Sequence, residues 1–142
     1  MIILDTDHLS ILQHFDSPQA IELRRRILAL EEQRIVTTIV TYEEQVRSWL
    51  SQIGRRSDVI EQVPFYDHLI EFVAFFAEWE LLPFDEDAAK IFNQLRKQRI
   101  RISSTDLKIA SIALICEAKL LSRNLIDFEK VPRLIVENWL PN

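Results

Sequence analysis

Short apolar runs alternate with longer amphipathic segments along this chain. Ile2, Ile3 and Leu4 form a continuously apolar run, which is typical of a buried parallel strand. Further strands are predicted at residues 34–38, 81–84, 119–122 and 134–136. The run at 81–84 is expected at an edge of the sheet or as an extended link, because Pro83 has no backbone N–H to donate.

The segments between these runs have helical spacing and recognisable helix starts. Ser17 followed by Pro18 predicts an N-cap and a first helical residue, and Asp85 predicts a second N-cap. Helices are expected after residue 17, at 41–53 with an end at Gly54, at 66–79, after residue 85, and at 106–117. The alternation predicts one α/β domain over residues 1–142, with a central, mostly parallel sheet flanked by helices on both faces.

Composition excludes several classes of protein. The chain has a net charge of −5, which argues against coating nucleic acid by bulk charge. Its one glycine, Gly54, excludes a Walker loop and a Rossmann glycine fingerprint. No uninterrupted apolar stretch reaches the roughly 18 residues of a membrane span, and we expect neither a membrane segment nor a signal peptide. The single cysteine, Cys116, favours a reducing compartment, and therefore the cytoplasm.

Four acidic residues fall where predicted elements begin or end. Asp5 follows the first strand, Glu44 and Asp106 lie in the first turns of predicted helices, and Asp127 follows a polar break after a strand. Ligand sites in open α/β sheets lie beyond the carboxyl ends of the strands. Carboxylates gathered there repel each other and favour a hard divalent cation. The joint pattern predicts a metal-dependent enzyme.

Each of these positions also has a purely structural explanation. Asp5 is a suitable N-cap, and Glu44 forms a capping box with Thr41. A helix dipole favours Asp106 in a first turn, and Asn124 is an ordinary turn residue. The functional interpretation therefore rests on the positions taken together.

Four segments resemble the motifs of PIN-domain ribonucleases, and of VapC-type toxins in particular. These are LDTDHLS at 4–10, TYEEQVRS at 41–48, DLKIASIA at 106–113 and SRNLIDF at 122–128. The resemblance extends over essentially the whole chain. Ser122 stands where that family usually has threonine, and Ser48 where glycine is common. The pair Glu43 and Glu44 is ambiguous by one residue, and Glu44 is chosen because Ser48 then fits the small-residue position.

The resemblance implies a PIN-like fold and an endoribonuclease that depends on Mg²⁺ or Mn²⁺. It also implies the role of a toxin in a toxin–antitoxin pair, with RNA as substrate and a small VapB-like antitoxin as partner. Carried over by motif, the catalytic and metal-binding residues would be Asp5, Glu44, Asp106 and Asp127, with Asn124 as the alternative to Asp127. Thr6, Ser122 and Asn124 would contact the substrate.

Two other functions remain open from the sequence. Asp5 and Asp7 have the spacing of a haloacid-dehalogenase-like phosphatase, although Leu9 stands where that family expects threonine or valine. A non-catalytic interaction module on a PIN scaffold is the second alternative.

Aromatic residues crowd one predicted helix, at Phe72, Phe75, Phe76 and Trp79. They are expected to bind an antitoxin segment or a second copy of the chain, or to complete the core of the monomer.

Overall fold

The computed structural model describes residues 1–14 and 16–141. Helices and strands alternate along the chain as the pattern of apolar residues predicts. Their order is β1 (Ile2–Leu4), α1 (Thr6–Leu12), α2 (Pro18–Leu28), β2 (Ile35–Thr38), α3 (Ile39–Gly54), α4 (Val59–Ala77), β3 (Leu81–Leu82), α5 (Glu86–Lys97), α6 (Ser104–Ile115), β4 (Lys119–Leu121), α7 (Leu125–Phe128) and β5 (Ile135–Glu137). Among the described residues, no helix is both long enough and apolar enough to cross a membrane.

The strands form one sheet in the order β3-β2-β1-β4-β5, and every described pairing is parallel. The central strand is β1, in which Ile3 lies opposite Val36 of β2 and Leu120 of β4. The short β3 lies at an edge, as Pro83 predicts. The predicted α/β class and parallel sheet are confirmed. Because the strands are parallel, their carboxyl ends share one edge of the sheet.

Helices cover both faces of this sheet. Side chains alternate between faces along a strand, so Ile3 and Leu120 pack in one core cluster with residues of α5, α6 and α7. Leu4 and Leu121 pack in the opposite cluster, with residues of α1, α2 and α4. Burial on both faces explains why β1 is apolar at every position.

The structure corrects the predicted start of α3. Thr38, at the end of β2, is the N-cap, and its Oγ1 accepts a hydrogen bond from the backbone N–H of Thr41 at 3.0 Å. The predicted capping box of Thr41 and Glu44 is therefore wrong. The strand passes directly into the helix without a loop, so the cap lies three residues earlier than the sequence pattern suggests. Glu44 is left available for contacts outside its own helix.

The predicted start of the aromatic-rich helix is also wrong, because α4 begins at Val59 rather than at residue 66. Asp58 caps it, accepting a hydrogen bond from the N–H of Ile60 at 2.9 Å. Pro64 lies inside the helix, although proline usually interrupts one. We infer that the capped first turn and the packing of the later turns hold the segment helical across Pro64.

The aromatic residues of α4 divide between the core and the surface. Phe72 and Phe76 are buried against Tyr42, with ring centroids 5.3 and 5.1 Å from that ring. Phe75 and Trp79 are only partly buried, and together with one edge of Phe72 they line an open groove. The core interpretation therefore holds for Phe72 and Phe76, and Phe75 and Trp79 keep surface that is available to a partner.

Candidate acidic site

The centre of the site lies at the ends of the two central strands. Asp5 directly follows β1 and Ser122 directly follows β4, and the N–H of Asp5 donates to the carbonyl of Leu121 at 3.0 Å. The Ser122 hydroxyl donates to Asp5 Oδ2 at 2.7 Å. Both side chains are buried. The parallel pairing of β1 with β4 therefore joins residues that are 117 positions apart in the chain.

Thr6 connects this centre to Glu44. It begins α1, where its N–H donates to Asp5 Oδ1 at 2.8 Å and its hydroxyl donates to Glu44 Oε1 at 3.0 Å. The neighbouring Glu43 instead pairs with Arg47 on the exposed side of α3. Of the two adjacent glutamates, Glu44 therefore faces the other acids. It is the one that was chosen from the sequence, because Ser48 then fits the small-residue position of the motif.

Asn124 connects the centre to the remaining two acids. Its backbone N–H donates to Ser122 Oγ at 3.0 Å. Its side-chain Nδ2 donates to Asp106 Oδ2 at 3.2 Å and to Asp127 Oδ2 at 3.1 Å. Asp106 lies in the first turn of α6 rather than at a strand end, so it reaches the site from a different layer of the fold.

All seven side chains singled out in the sequence therefore belong to one continuous hydrogen-bond network, which we call the acidic network. It runs through Glu44, Thr6, Asp5, Ser122 and Asn124, and ends at Asp106 and Asp127. Asn124 and Asp127 are not alternatives in this arrangement, because the amide of Asn124 bridges Asp127 and Asp106.

Burial and mutual repulsion make the inner acids hard to ionise. Burial raises the pKa of Asp5 to about 7, and the nearby Asp7 and Asp106 add to the rise, while hydrogen bonds from Ser122 and Thr6 oppose it. A carboxyl group so far from its ordinary pKa in a polar cluster is a common feature of functional sites.

The same causes act on Glu44 and Asp106. Burial raises the pKa of Glu44, with smaller contributions from Asp106 and Asp7. Burial likewise raises the pKa of Asp106, and repulsion from Asp127 and Asp7 adds to it. The hydrogen bonds from Asn124 and Lys130 lower the pKa of Asp127, which lies at the outer end of the network. Ionisation is thus disfavoured at Asp5, Glu44 and Asp106 and favoured at Asp127.

Proteins similar to this chain include a VapC ribonuclease and toxin–antitoxin complexes named VapBC. No family model matches the chain. It is 32% identical over 69 residues to Ribonuclease VapC2 of Rickettsia felis, an alignment that covers 46% of this chain and 52% of that protein. The match therefore spans about half the length of this curated relative.

Solved structures match over nearly the whole chain. VapBC2 from Rickettsia felis, bound to a promoter DNA fragment, has a TM-score of 0.66 at 20% identity, covering 98% of this chain and 99% of the matched one. VapBC-1 from nontypeable Haemophilus influenzae has a TM-score of 0.66 at 23% identity and 98% coverage of both chains. FitAcB from Neisseria gonorrhoeae has a TM-score of 0.65 at 22% identity and 97% coverage of both chains.

This chain has the fold of VapC-type PIN-domain proteins. The resemblance that the sequence motifs indicated is confirmed by these matches, and so is the PIN-like sheet with helices on both faces.

One acid beside the acidic network was not selected from the sequence. Asp7 Oδ2 accepts hydrogen bonds from the backbone N–H of Arg123 at 2.9 Å and from the Ser122 hydroxyl at 3.4 Å. Burial acts to raise the pKa of Asp7, but the hydrogen bonds from His8 and Arg123 outweigh it and leave the pKa below its ordinary value. The spacing of Asp5 and Asp7 was the one sequence feature that could have indicated a role for Asp7, although it first suggested a phosphatase motif.

His8 supports Asp7 from the core. Its Nδ1 lies 2.6 Å from Asp7 Oδ1, and its Nε2 accepts the backbone N–H of Trp139 at 3.0 Å. Because Nε2 accepts a hydrogen bond, the ring proton lies on Nδ1 and is donated to Asp7. This buried link holds the C-terminal segment against the back of the acidic network.

The donor chemistry of the acidic network suits a hard cation. In the described part of the chain, no three His, Cys, Asp or Glu side chains are already arranged to enclose a metal ion. A closed cage is not required for Mg²⁺, which keeps several waters and binds proteins through one or two carboxylates together with substrate phosphates. Burial, and to a smaller extent repulsion between the acids, raises the pKa of Asp5, Glu44 and Asp106 by destabilising their charged forms. A divalent cation bound beside them stabilises those charged forms. The residues present therefore fit Mg²⁺ or Mn²⁺.

Proposed function

We propose that this chain is a metal-dependent endoribonuclease that hydrolyses RNA phosphodiester bonds, with residues 1–142 forming one catalytic domain. The observation that supports this most directly is the acidic network, in which four carboxylates and three polar side chains are joined on a VapC-like fold. The name of the partly matching relative, Ribonuclease VapC2, supports RNA as the substrate. We further propose that the chain acts in the cytoplasm, as the toxin of a type II toxin–antitoxin pair.

In this proposal, Asp5 and Asp106 hold Mg²⁺ or Mn²⁺ directly, and Glu44 and Asp127 bind the ion or its waters. When bound, the cation supplies a water of lowered pKa and polarises the scissile phosphate. Asp5 must give up the proton that burial favours before it can act as a ligand.

The polar members of the acidic network position these carboxylates. Ser122 orients Asp5, and Thr6 orients Glu44. Asn124 holds Asp106 and Asp127 at a common distance from one amide nitrogen. We also assign Thr6, Ser122 and Asn124 contacts to the phosphate, since their hydroxyl and amide groups lie beside the carboxylates.

A matched pair of aspartates tests this function. Asp106 and Asp87 lie in the first turns of successive helices, but Asp87 is exposed in α5 and has no part in the acidic network. With a mixed RNA pool and Mg²⁺, we expect Asp106→Asn to reduce cleavage by about a hundredfold or more and Asp87→Asn to leave it within about twofold. EDTA is expected to abolish cleavage by the wild-type chain.

Four results would contradict the proposal. Cleavage that persists in EDTA, or that Asp106→Asn leaves unchanged, would remove the acidic network from the mechanism. Turnover of a phosphate monoester without RNA cleavage would instead favour the haloacid-dehalogenase-like alternative. Failure to bind Mg²⁺ or Mn²⁺ in a titration would favour a non-catalytic module.

An antitoxin partner is supported by a separate groove of about 1200 Å³. Its apolar lining comes from several helices and includes Leu12, Ile27, Phe75 and Trp79. VapBC-5 of Mycobacterium tuberculosis, which has this fold, is a member of a family of toxin–antitoxin systems. We propose that the groove takes an apolar segment of a VapB-like antitoxin, which a peptide displacement assay with Phe75→Glu would test.

A second copy of the chain is proposed for a different surface. The outer face of α4 exposes Val63, Tyr66, Ile70 and Val73, which helical spacing places in one stripe. We expect a homodimer by light scattering after size exclusion, and a monomer for Ile70→Glu. A wild-type monomer at micromolar concentration would reject this surface as a dimer interface.

A further inference from the structure

A cleft of about 490 Å³ begins at the Thr6 and Glu44 end of the acidic network and runs between α1 and α3. Its volume falls within the range of roughly 300–1,000 Å³ typical of small-molecule sites. Beyond Thr6 and Glu44, most of its lining residues are of polar type: Ser10, Gln13, His14, Gln45, Ser48 and Gln52, together with Trp49. The cleft shares Gln13, His14 and Trp49 with the apolar groove that we assign to a protein partner, but among the described residues it lacks the aliphatic and phenylalanine side chains of that groove.

The polar lining follows from helical spacing. Gln45, Ser48 and Gln52 lie at positions i, i+3 and i+7 of α3, so they share one face of that helix. Ser10 and Gln13 extend the stripe that Thr6 begins on α1. Helices that face each other normally do so with apolar side chains. Two polar stripes across a cleft therefore call for an explanation other than packing.

Gln45 provides the second, independent observation. Its side chain is only 8% exposed, and its Oε1 accepts a hydrogen bond from Gln13 Nε2 at 3.3 Å. Its Nε2 is buried and has no hydrogen-bond partner among the residues that the structure describes. An unpaired buried polar group is destabilising and uncommon in native proteins. It is explained if a ligand that enters the cleft supplies the missing acceptor.

The charge of the cleft indicates which part of a nucleotide fits. None of the described residues that line it is Lys or Arg, and Glu44 places a carboxylate at its mouth. A phosphate group is therefore disfavoured there. Carboxamides pair with the polar edges of nucleobases, and aromatic rings stack on unpaired bases. Trp49, which is stacked on His68 with centroids 5.5 Å apart, supplies aromatic surface in the wall of the cleft.

We propose that this cleft binds one unpaired RNA base adjacent to the phosphate held at the acidic network, and that Gln45 reads the edge of that base. The inference rests on the proposed ribonuclease function, because it takes RNA as the substrate. It adds a specificity-determining residue that lies outside the carboxylates themselves.

The test measures binding rather than cleavage. Fluorescence anisotropy compares short homopolymeric RNAs of A, C, G and U on the full chain carrying Asp106→Asn, with Mg²⁺ present. We expect a preference for one or two bases of at least about fivefold, which is the lower end of discrimination by a good polar contact to a base edge.

Gln45→Leu in the same background is expected to remove this preference, mainly by weakening the favoured RNA. Gln94→Leu is the matched control, because Gln94 is exposed on α5 and lies outside the cleft lining. It is expected to leave all four affinities unchanged. Gln45→Leu also removes the unpaired amide, so its Tm is expected to equal or exceed that of the parent, which separates lost recognition from lost folding.

The outcomes distinguish the two proposals. No base preference, a preference that survives Gln45→Leu, or an equal loss for all four RNAs would overturn the assignment of Gln45. If wild-type chain cleaves RNA with Mg²⁺ under any of those results, the ribonuclease proposal stands and only the cleft assignment fails. If base preference depends on Gln45 but wild-type chain does not cleave, the cleft assignment stands and the ribonuclease proposal fails.

Discussion

Asp5→Asn removes a buried negative charge from the centre of the acidic network and leaves a side chain of nearly the same shape. Among the residues that the structure describes, the Asp5 carboxylate has no cationic partner, and its charge is stabilised by the Ser122 hydroxyl and the Thr6 N–H. We therefore expect the metal-free variant to be more stable than wild type at neutral and alkaline pH, although its RNA cleavage is lost.

The magnitude follows from the pKa of Asp5. Folding raises this pKa from an ordinary value of 3.8 to about 7. Because the folded state binds the proton more tightly, wild-type stability falls as the pH rises from the unfolded value through the folded one. A shift of this size corresponds to about 4 kcal/mol in the free energy of unfolding once both states are ionised. About 3 kcal/mol of that change falls between pH 5 and pH 8.

The assay is urea unfolding of both proteins in EDTA at pH 5 and pH 8. The stability difference between Asp5→Asn and wild type is expected to grow by about 3 kcal/mol at the higher pH. Other titrating groups are common to both proteins, so most of their effect cancels in this comparison.

Asp7→Asn is the matched control for charge removal. Burial opposes ionisation of Asp7, but hydrogen bonds from His8 and Arg123 lower its pKa overall, so its charge stabilises the fold above the unfolded pKa. This variant is expected to be less stable than wild type by a similar amount at pH 8 and pH 5, and the deficit should shrink only as the pH falls below the unfolded pKa of about 4. A pH-independent effect of Asp5→Asn, or destabilisation by it at pH 8, would refute the account of Asp5 as an uncompensated buried charge.

Three further outcomes are expected. Mg²⁺ at about one hundred times its Kd will stabilise the wild-type fold by about 2.7 kcal/mol and raise the Tm of the protein. Asp106→Asn will lose most of this increase in Tm. Equal increases in both proteins would show that the ion binds away from Asp106. Phe128→Ala will cost about 3–5 kcal/mol in urea unfolding because Phe128 is fully buried, whereas Ile126→Ala, at a position 80% exposed, will change stability by less than about 0.5 kcal/mol. Thr38→Ala will lower the free energy of unfolding by about 1–2 kcal/mol in the same measurement, because Thr38 caps α3. No loss of stability would show that a later residue is the N-cap.

Local sequence patterns were sufficient to predict the α/β architecture. Continuous apolar runs predicted β1 and β4 correctly. Both faces of these strands are buried, so successive residues must be apolar, and this pattern is visible in the sequence. The caps at Ser17 and Asp85 were predictable for a similar reason, since each accepts a hydrogen bond from an N–H three residues ahead. Motif resemblance then supplied the seven residues of the acidic network.

Contacts between distant segments could not be inferred in this way. The start of α3 depends on how β2 runs into the helix, and a capping motif at Thr41 was a reasonable but incorrect alternative. The hydrogen bond from Trp139 to His8, which in turn contacts Asp7, joins residues 131 positions apart, and no local pattern specifies it.

The physical reason lies in the range of the interactions. Strand and helix propensities, caps and apolar spacing act over a few neighbours, so they can be read along the chain. Hydrogen bonds within the acidic network, and the unpaired amide of Gln45, depend on the parallel pairing of β1 with β2 and β4 and on the approach of α1 to α3. Those arrangements come from the burial of two separate apolar clusters at once, which is a property of the folded chain as a whole.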